Sequence, residues 1–236
     1  WMLFDTGYTR RFYTATAKFP AKLYAALTPV SIREEEEVSN QLAPFGLAPA
    51  DIRHVILSHF HADHVGGLKD FPGARIHCSR AAYLQVKKLS PRWSFRKGIL
   101  KSLLPDDLEE RICFIEETPA VDHPILGVQY DLFGDGSLLA CPLPGHAAGQ
   151  VGLRLRTARR PYFLVADACW LIQSVTEERL PAGIVRLFFN SWTDFKKSLH
   201  RLQQFHRIHP EELIVPTHCA QTTNPLIARN EKPYAL

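Results

Sequence analysis

Apolar positions along this chain fall into two patterns, short β-branched runs and longer stretches with a helical period. Val55-Ile56-Leu57 is a β-branched and aliphatic run that reads as a buried strand, with Ser58 to His64 as the loop leaving its C-terminal end. Val65-Gly66-Gly67-Leu68 follows, and paired glycines allow close backbone approach or unusual dihedrals. Leu89, Ile99, Leu100, Leu103, Leu104 and Leu108 predict a helical crossover with one apolar face near 85–120. Trp192, Phe195, Leu199, Leu202 and Phe205 recur at helical spacing between Ser191 and Phe205. From Val128 the second half reads as several strands, with Arg154, Arg156, Arg159 and Arg160 gathered around one hairpin as an exposed turn. The acidic run Glu34 to Glu37 predicts an exposed helix start.

Composition narrows the class. A chain of 236 residues is long enough for one domain with a sizeable core. Its 46% hydrophobic and 22% charged residues are ordinary for a globular protein. No run of 18 apolar residues occurs, so no membrane span is expected. The net charge of +4 is mild and spread out, and makes no case for nucleic acid. Five widely spaced cysteines without a C-x-x-C pair read as free thiols in a reducing compartment, hence a cytoplasmic location. The chain begins at Trp1 in what reads as the middle of a strand, so upstream residues, and any signal peptide among them, are expected to be missing.

The chemistry concentrates in His59-Phe60-His61-Ala62-Asp63-His64, three imidazoles and a carboxylate within six residues after an apolar strand. A single histidine is usually a satisfied core or surface residue; four ligand-capable groups between a strand and Gly-Gly point instead to a borderline divalent metal. Residues i and i+2 of an extended loop face the same way, so His59 and His61 can grip one ion. A helical turn after His61 would swing Asp63 and His64 toward a second position.

This segment resembles the H-x-H-x-D-H signature of the metallo-β-lactamase-fold hydrolase superfamily. The resemblance extends along almost the whole chain: Leu3-Phe4-Asp5-Thr6-Gly7 is similar to the family's early strand ending in Asp-Thr-Gly. Pro144-Gly145-His146-Ala147-Ala148-Gly149-Gln150 is similar to its P-G-H-x-x-G turn. Val165-Ala166-Asp167-Ala168 and Ile214-Val215-Pro216-Thr217-His218 resemble its later ligand-bearing strand ends. The fold this implies is an α/β, αβ/βα four-layer sandwich: two mixed β-sheets face to face with helices outside, in one domain over residues 1–236, the first strands lacking their N-terminal residues. The first half is then one β-layer carrying the first ligand loop.

The resemblance also implies two divalent ions, zinc by default, with Mn, Fe or Co as alternatives. His59, His61 and His146 would hold the first, Asp63, His64 and His218 the second, and Asp167 would bridge them. A metal-bridging hydroxide is then the expected nucleophile, with Asp63 as a proton shuttle, and no Ser, Cys or Lys nucleophile is needed. Asp5 would stand behind the ligands and orient a ligand His by hydrogen bond. Cys169 and Cys219, close to ligands, read as small buried hydrophobes.

Within the superfamily the pattern is most similar to N-acyl-homoserine lactonase-like and glyoxalase-II-like members. Flavin-linked di-iron members place Glu at the position of His61, and true β-lactamases generally lack the carboxylate at Asp167. The lactonases normally place a Tyr three residues after the bridging Asp, where this chain has Trp170, whose indole N–H only donates. The expectation is hydrolysis of a small-molecule carboxylic ester, a lactone first. The alternatives are a phosphodiesterase or organophosphate triesterase, a glyoxalase-II-like thioesterase, and a non-enzymatic metal-binding module. Oligomeric state is left open, a homodimer included. Aromatics in two segments are candidate pocket walls beside Trp170: Phe12, Phe19 and Tyr24 in residues 8–33, Trp93 and Phe95 in residues 91–104. The same aromatics could equally pack on the sandwich.

Overall fold

The computed structural model describes residues 1–228. The chain divides into two compact units, Trp1–Cys113 and Phe114 onward.

The first unit is built on a four-stranded sheet in the order β1-β2-β3-β4, with β1 Met2–Phe4, β2 His54–Ile56, β3 Arg75–Cys78 and β4 Ile112–Phe114. β2 pairs in parallel with both β1 and β3, so their C-terminal ends share one edge. Val55, Ile56 and Leu57 are fully buried, as expected of a β-branched run covered on both faces. At that edge the backbones come very close. A Cβ on Gly66 would fall 2.6 Å from the Gly7 carbonyl oxygen, and one on Gly67 would fall 2.6 Å from that of Thr6. Only glycine fits there, so Gly66-Gly67 lets the ligand loop lie against the loop after β1.

The second unit is a six-stranded sheet in the order β10-β9-β8-β7-β6-β5. Its strands are β5 Ala120–His123, β6 Gly127–Asp131, β7 Leu138–Pro142, β8 Val151–Arg156, β9 Pro161–Ala166 and β10 Leu213–Pro216. β8 is antiparallel to β7 and to β9, and β10 is parallel to β9. β7, β9 and β10 therefore run in one direction and end at the same edge. The helix Trp192–Ile208 matches its expected period, and Ser191 caps it by accepting the Asp194 N–H at 3.2 Å. Its buried stripe of Phe195, Leu199, Leu202 and Phe205 packs with Phe163, Val165 and Ile214 from the sheet. Burial stabilises by roughly 1.5–3 kcal/mol for each such side chain.

Three expectations need correction. The stretch 85–120 is not one helical crossover. The helix Arg80–Lys88 stops before Pro91, and short turns follow at Ser94–Lys97, Lys101–Leu103 and Leu108–Arg111. Pro91 and Pro105 lack the N–H a helix needs, and Gly98 sits at φ 70°. The apolar residues Ile99, Leu100, Leu103, Leu104 and Leu108 are buried all the same, by turns rather than by one helix face. Arg154 does not belong to an exposed turn. It makes two hydrogen bonds to the Glu212 carboxylate, at 2.7 and 2.8 Å, and lies 4.8 Å from the Phe205 ring. Finally, Glu34–Glu36 is a short exposed 3₁₀ helix that starts where expected, but Glu37 is buried and accepts the Arg10 backbone N–H at 2.8 Å.

Candidate metal centre

In the first unit the site begins where β2 ends. The chain leaves the sheet at Leu57, whose N–H still bonds to the His77 carbonyl at 2.8 Å, and turns at Ser58. His61 remains extended (φ −67°, ψ 155°), and Ala62–Val65 then makes one helical turn, which brings Asp63 beside His64. His59 and His61 have ring centroids 4.4 Å apart, with one nitrogen of each within 4.8 Å of the other. His64 also packs against His59, at 4.0 Å between ring centroids, and its Nε2 is 3.4 Å from Asp63 Oδ2. His59 and His64 are buried; His61 and Asp63 are half-buried.

The buried imidazoles are held from behind. Asp5, at φ 61°, follows β1 and accepts three hydrogen bonds: Ser58 N–H at 2.8 Å, Ser58 Oγ–H at 2.7 Å and His64 Nδ1–H at 2.8 Å. With its hydrogen given to Asp5, the Ser58 hydroxyl accepts from His59 Nδ1 at 2.9 Å. Both rings thus carry their proton on Nδ1 and turn the Nε2 lone pair away from Asp5, the tautomer a metal ligand needs. Thr6 secures the same turn by donating its N–H (2.8 Å) and its hydroxyl (3.0 Å) to the His64 carbonyl. Asp5, expected to stand behind a ligand His, is hydrogen-bonded to the His64 imidazole. Ser58, which the sequence did not single out, links the His59 ring to the Asp5 carboxylate.

In the second unit the three remaining candidates leave the C-terminal ends of the co-directional strands. His146 follows β7 through Pro144-Gly145, Asp167 follows β9 directly after Ala166 at φ 48°, and His218 follows β10. They converge on one atom. Asp167 Oδ2 is 3.3 Å from His146 Nε2, 3.4 Å from His218 Nε2 and 3.1 Å from Trp170 Nε1, which donates to it. Asp167 and His146 are buried, whereas the His218 side chain is 45% exposed. The His146 ring is walled by Phe189 at 5.2 Å and Trp170 at 5.8 Å, both edge-on. Trp170 is thus spent on the carboxylate.

Burial pushes the Cys169 thiol far above the usual thiol range, so it behaves as a small hydrophobe. Cys219 is buried too, and its Sγ accepts the Ile172 N–H at 3.4 Å.

The aromatic candidates divide. Phe12 is buried in a cluster with Ala62, Leu100 and Leu103, against which Tyr24 and Phe95 pack. These three support the turn that carries Asp63 and His64. Phe19 and Trp93 point into solvent.

Imidazoles and carboxylates that leave the C-terminal ends of strands are donors of the kind that can hold a divalent metal in an α/β protein. The chain belongs to the metallo-beta-lactamase superfamily, whose family model matches residues 1–203. It is 28% identical over 177 residues to the N-acyl homoserine lactonase AttM of Azorhizobium caulinodans, covering 73% of this chain and 60% of the relative. The chain thus spans about 60% of the length of the curated relatives it matches first. Among solved structures it resembles an N-acyl homoserine lactone hydrolase with the product N-hexanoyl-L-homoserine bound at the catalytic metal centre. That likeness has a TM-score of 0.69 at 19% identity, over 95% of this chain and 78% of the other. It also resembles AidC, a dizinc quorum-quenching lactonase in complex with a product, with a TM-score of 0.58 at 16% identity, over 92% and 68%. Two sheets flanked by helices and these likenesses together show the metallo-β-lactamase fold.

Proposed function

We propose that this protein is a single-domain, metal-dependent hydrolase of carboxylic esters, lactones first among them, that uses two divalent ions per chain. The observation that carries the reading is the bracing of the donors: Asp5 and Ser58 hold His59 and His64 in the metal-ligand tautomer, while one buried oxygen of Asp167 gathers His146 and His218. A family model running through both units and relatives named as N-acyl homoserine lactonases support it.

Imidazole nitrogens and carboxylate oxygens suit zinc, with Mn, Fe or Co accepted by the same donors. His59, His61 and His146 would hold one ion, Asp63, His64 and His218 the other, and Asp167 both. Two such ions would supply Lewis acidity, lowering the pKa of a bound water toward ~7 and polarising a carbonyl. The chain does the rest. Asp63, with its side chain 21% exposed, would take the proton given up by the attacking water on its free carboxylate oxygen and pass it to the leaving alkoxide. Trp170 and Phe189 keep water from the His146 side, and the Trp170 N–H fixes the orientation of Asp167. Five free thiols favour a reducing compartment, the cytoplasm. A homodimer is the assembly to look for by sedimentation.

The test is turnover of acyl-homoserine lactones, aryl esters, thioesters and bis-aryl phosphates by metal-loaded protein, beside His61→Ala. Lactone opening should lead the panel with about two ions per chain, and His61→Ala should lose roughly a hundredfold or more. Activity that survives chelation would sink the metal reading; a preference for the phosphate diester would sink the ester reading.

A further inference from the structure

The modest net charge of +4 conceals two spans of the first unit that contain no Asp or Glu. Residues 8–33 carry Arg10, Arg11, Lys18, Lys22 and Arg33; residues 79–105 carry Arg80, Lys87, Lys88, Arg92, Arg96, Lys97 and Lys101. Some of these cations are neutralised: Arg10 by Glu34 and Glu37, Arg11 by Asp70, Arg33 by Glu35 and Glu36, Lys87 by Glu109. Lys18, Lys22, Lys88, Arg92, Arg96 and Lys97 are exposed and have no carboxylate partner among the described residues.

Large apolar side chains stand among them. Phe19, Leu23 and Leu27 recur every fourth residue along the helix Lys22–Leu27 and the turn before it, and are 66%, 48% and 78% exposed. The opposite side of that helix, Ala21, Tyr24 and Ala25, is already packed on Phe12, Leu100 and Leu103. The helix is thus apolar on both sides, where a helix at a protein–water boundary keeps its outer face polar. Phe95 packs on the same cluster, and its neighbour Trp93 faces outward, 42% exposed, with the Arg92 and Arg96 guanidinium groups 5.8 and 5.2 Å from its ring. Elements that meet in one core cluster therefore turn Phe19, Leu23, Leu27 and Trp93 outward beside uncompensated Lys and Arg.

We propose that this face of the first unit docks on the surface of an anionic lipid bilayer. Lysine and arginine meet the headgroups, while Phe, Leu and Trp enter the interface between headgroup and acyl chain. Nucleic acid would use the cations and the Trp93 face but has no use for exposed Leu23 and Leu27, which is why lipid is favoured. No helix among the described residues is long and apolar enough to cross a membrane, so the contact is peripheral.

Sedimentation of the whole chain with vesicles tests this, using phosphatidylglycerol in phosphatidylcholine against phosphatidylcholine alone, with duplex DNA as a second ligand. The protein should sediment with the anionic vesicles and be released by salt. The exposed double variant Leu23→Ser/Leu27→Ser should weaken partition at least about tenfold at an unchanged melting temperature. Lys18→Gln/Lys22→Gln should cost about fivefold per charge removed. Failure of the folded protein to sediment, partition unchanged by Leu23→Ser/Leu27→Ser, or tighter retention on DNA than on vesicles would each overturn the proposal.

Discussion

His64 Nδ1 donates to Asp5 Oδ2 at 2.8 Å, a bond between residues 59 positions apart. It ties the ligand turn to the loop after β1 and keeps the ring in one orientation. Asp5→Asn should lower metal affinity roughly 10–100-fold, the usual cost of losing an orienting carboxylate. Asparagine tolerates the left-handed backbone (φ 61°) that Asp5 adopts but keeps one acceptor oxygen for three donors, so the metal-free variant should also lose about 1–3 kcal/mol of stability. Chelator competition and thermal melts read the two effects separately; unchanged affinity would refute the orienting role.

Gly98 controls His61 sterically. It sits at φ +70°, and a Cβ there would fall 2.8 Å from Cδ2 of the His61 ring. Its carbonyl also accepts the Ala62 N–H at 3.0 Å, so it cannot retreat without loosening that turn. Gly98→Ala should cost about 1–2 kcal/mol in stability from the left-handed backbone alone. It should also reduce the bound metal per chain by displacing His61, as elemental analysis of the purified variant would register.

Trp170 Nε1 donates to the carboxylate oxygen that faces both His146 and His218. Trp170→Phe keeps most of the edge-on packing on His146 and Phe189 but removes the donor. Loss of kcat roughly tenfold, at a melting temperature within a few degrees of the parent, is the expected result. A variant as active as the parent would reduce Trp170 to a wall.

Burial pushes the His77 imidazole down to about 4, with the neighbouring His54 and Arg75 contributing. His54 Nδ1 and His77 Nε2 are 2.9 Å apart, a contact suited to two neutral rings. The unfolded chain takes up this proton near its ordinary value of about 6.5, whereas the folded chain resists it until about 4. Stability from this group is therefore complete above about pH 6.5 and is lost as pH falls toward 4, by roughly 1–3 kcal/mol. Urea unfolding at pH 7 and near pH 4.5 should show a smaller difference for His77→Phe than for the parent; equal differences would remove His77 from the account.

Residues whose role depends on their own type and spacing were legible before the fold. The cluster from His59 to His64 combines scarce side chains at ligand spacing, and the run Val55 to Leu57 is too apolar to lie outside a core. The helix Trp192–Ile208 was equally plain, because one apolar stripe at helical spacing admits one reading. Ser58 was invisible, since a lone serine carries no pattern and its importance comes from Asp5 folding back onto it. The failed crossover near 85–120 shows another limit. Apolar positions there report burial, but Pro91, Gly98 and Pro105 forbid the continuous backbone hydrogen bonding that periodicity alone suggests. Phe12 and Tyr24 illustrate a third: aromatic content signals contact without saying whether the partner is a ligand or the protein's own turn.

The Ser58 hydroxyl has one hydrogen to give, and Asp5 receives it. This makes the loop a one-way conduit, running from the His59 ring through the hydroxyl to the carboxylate. If that acceptor is lost, the hydroxyl can rotate and donate to His59 Nδ1 instead, moving the ring's own hydrogen to the Nε2 side. A single change at residue 5 would then reverse the conduit and blind two imidazoles at once, although it touches only one of them.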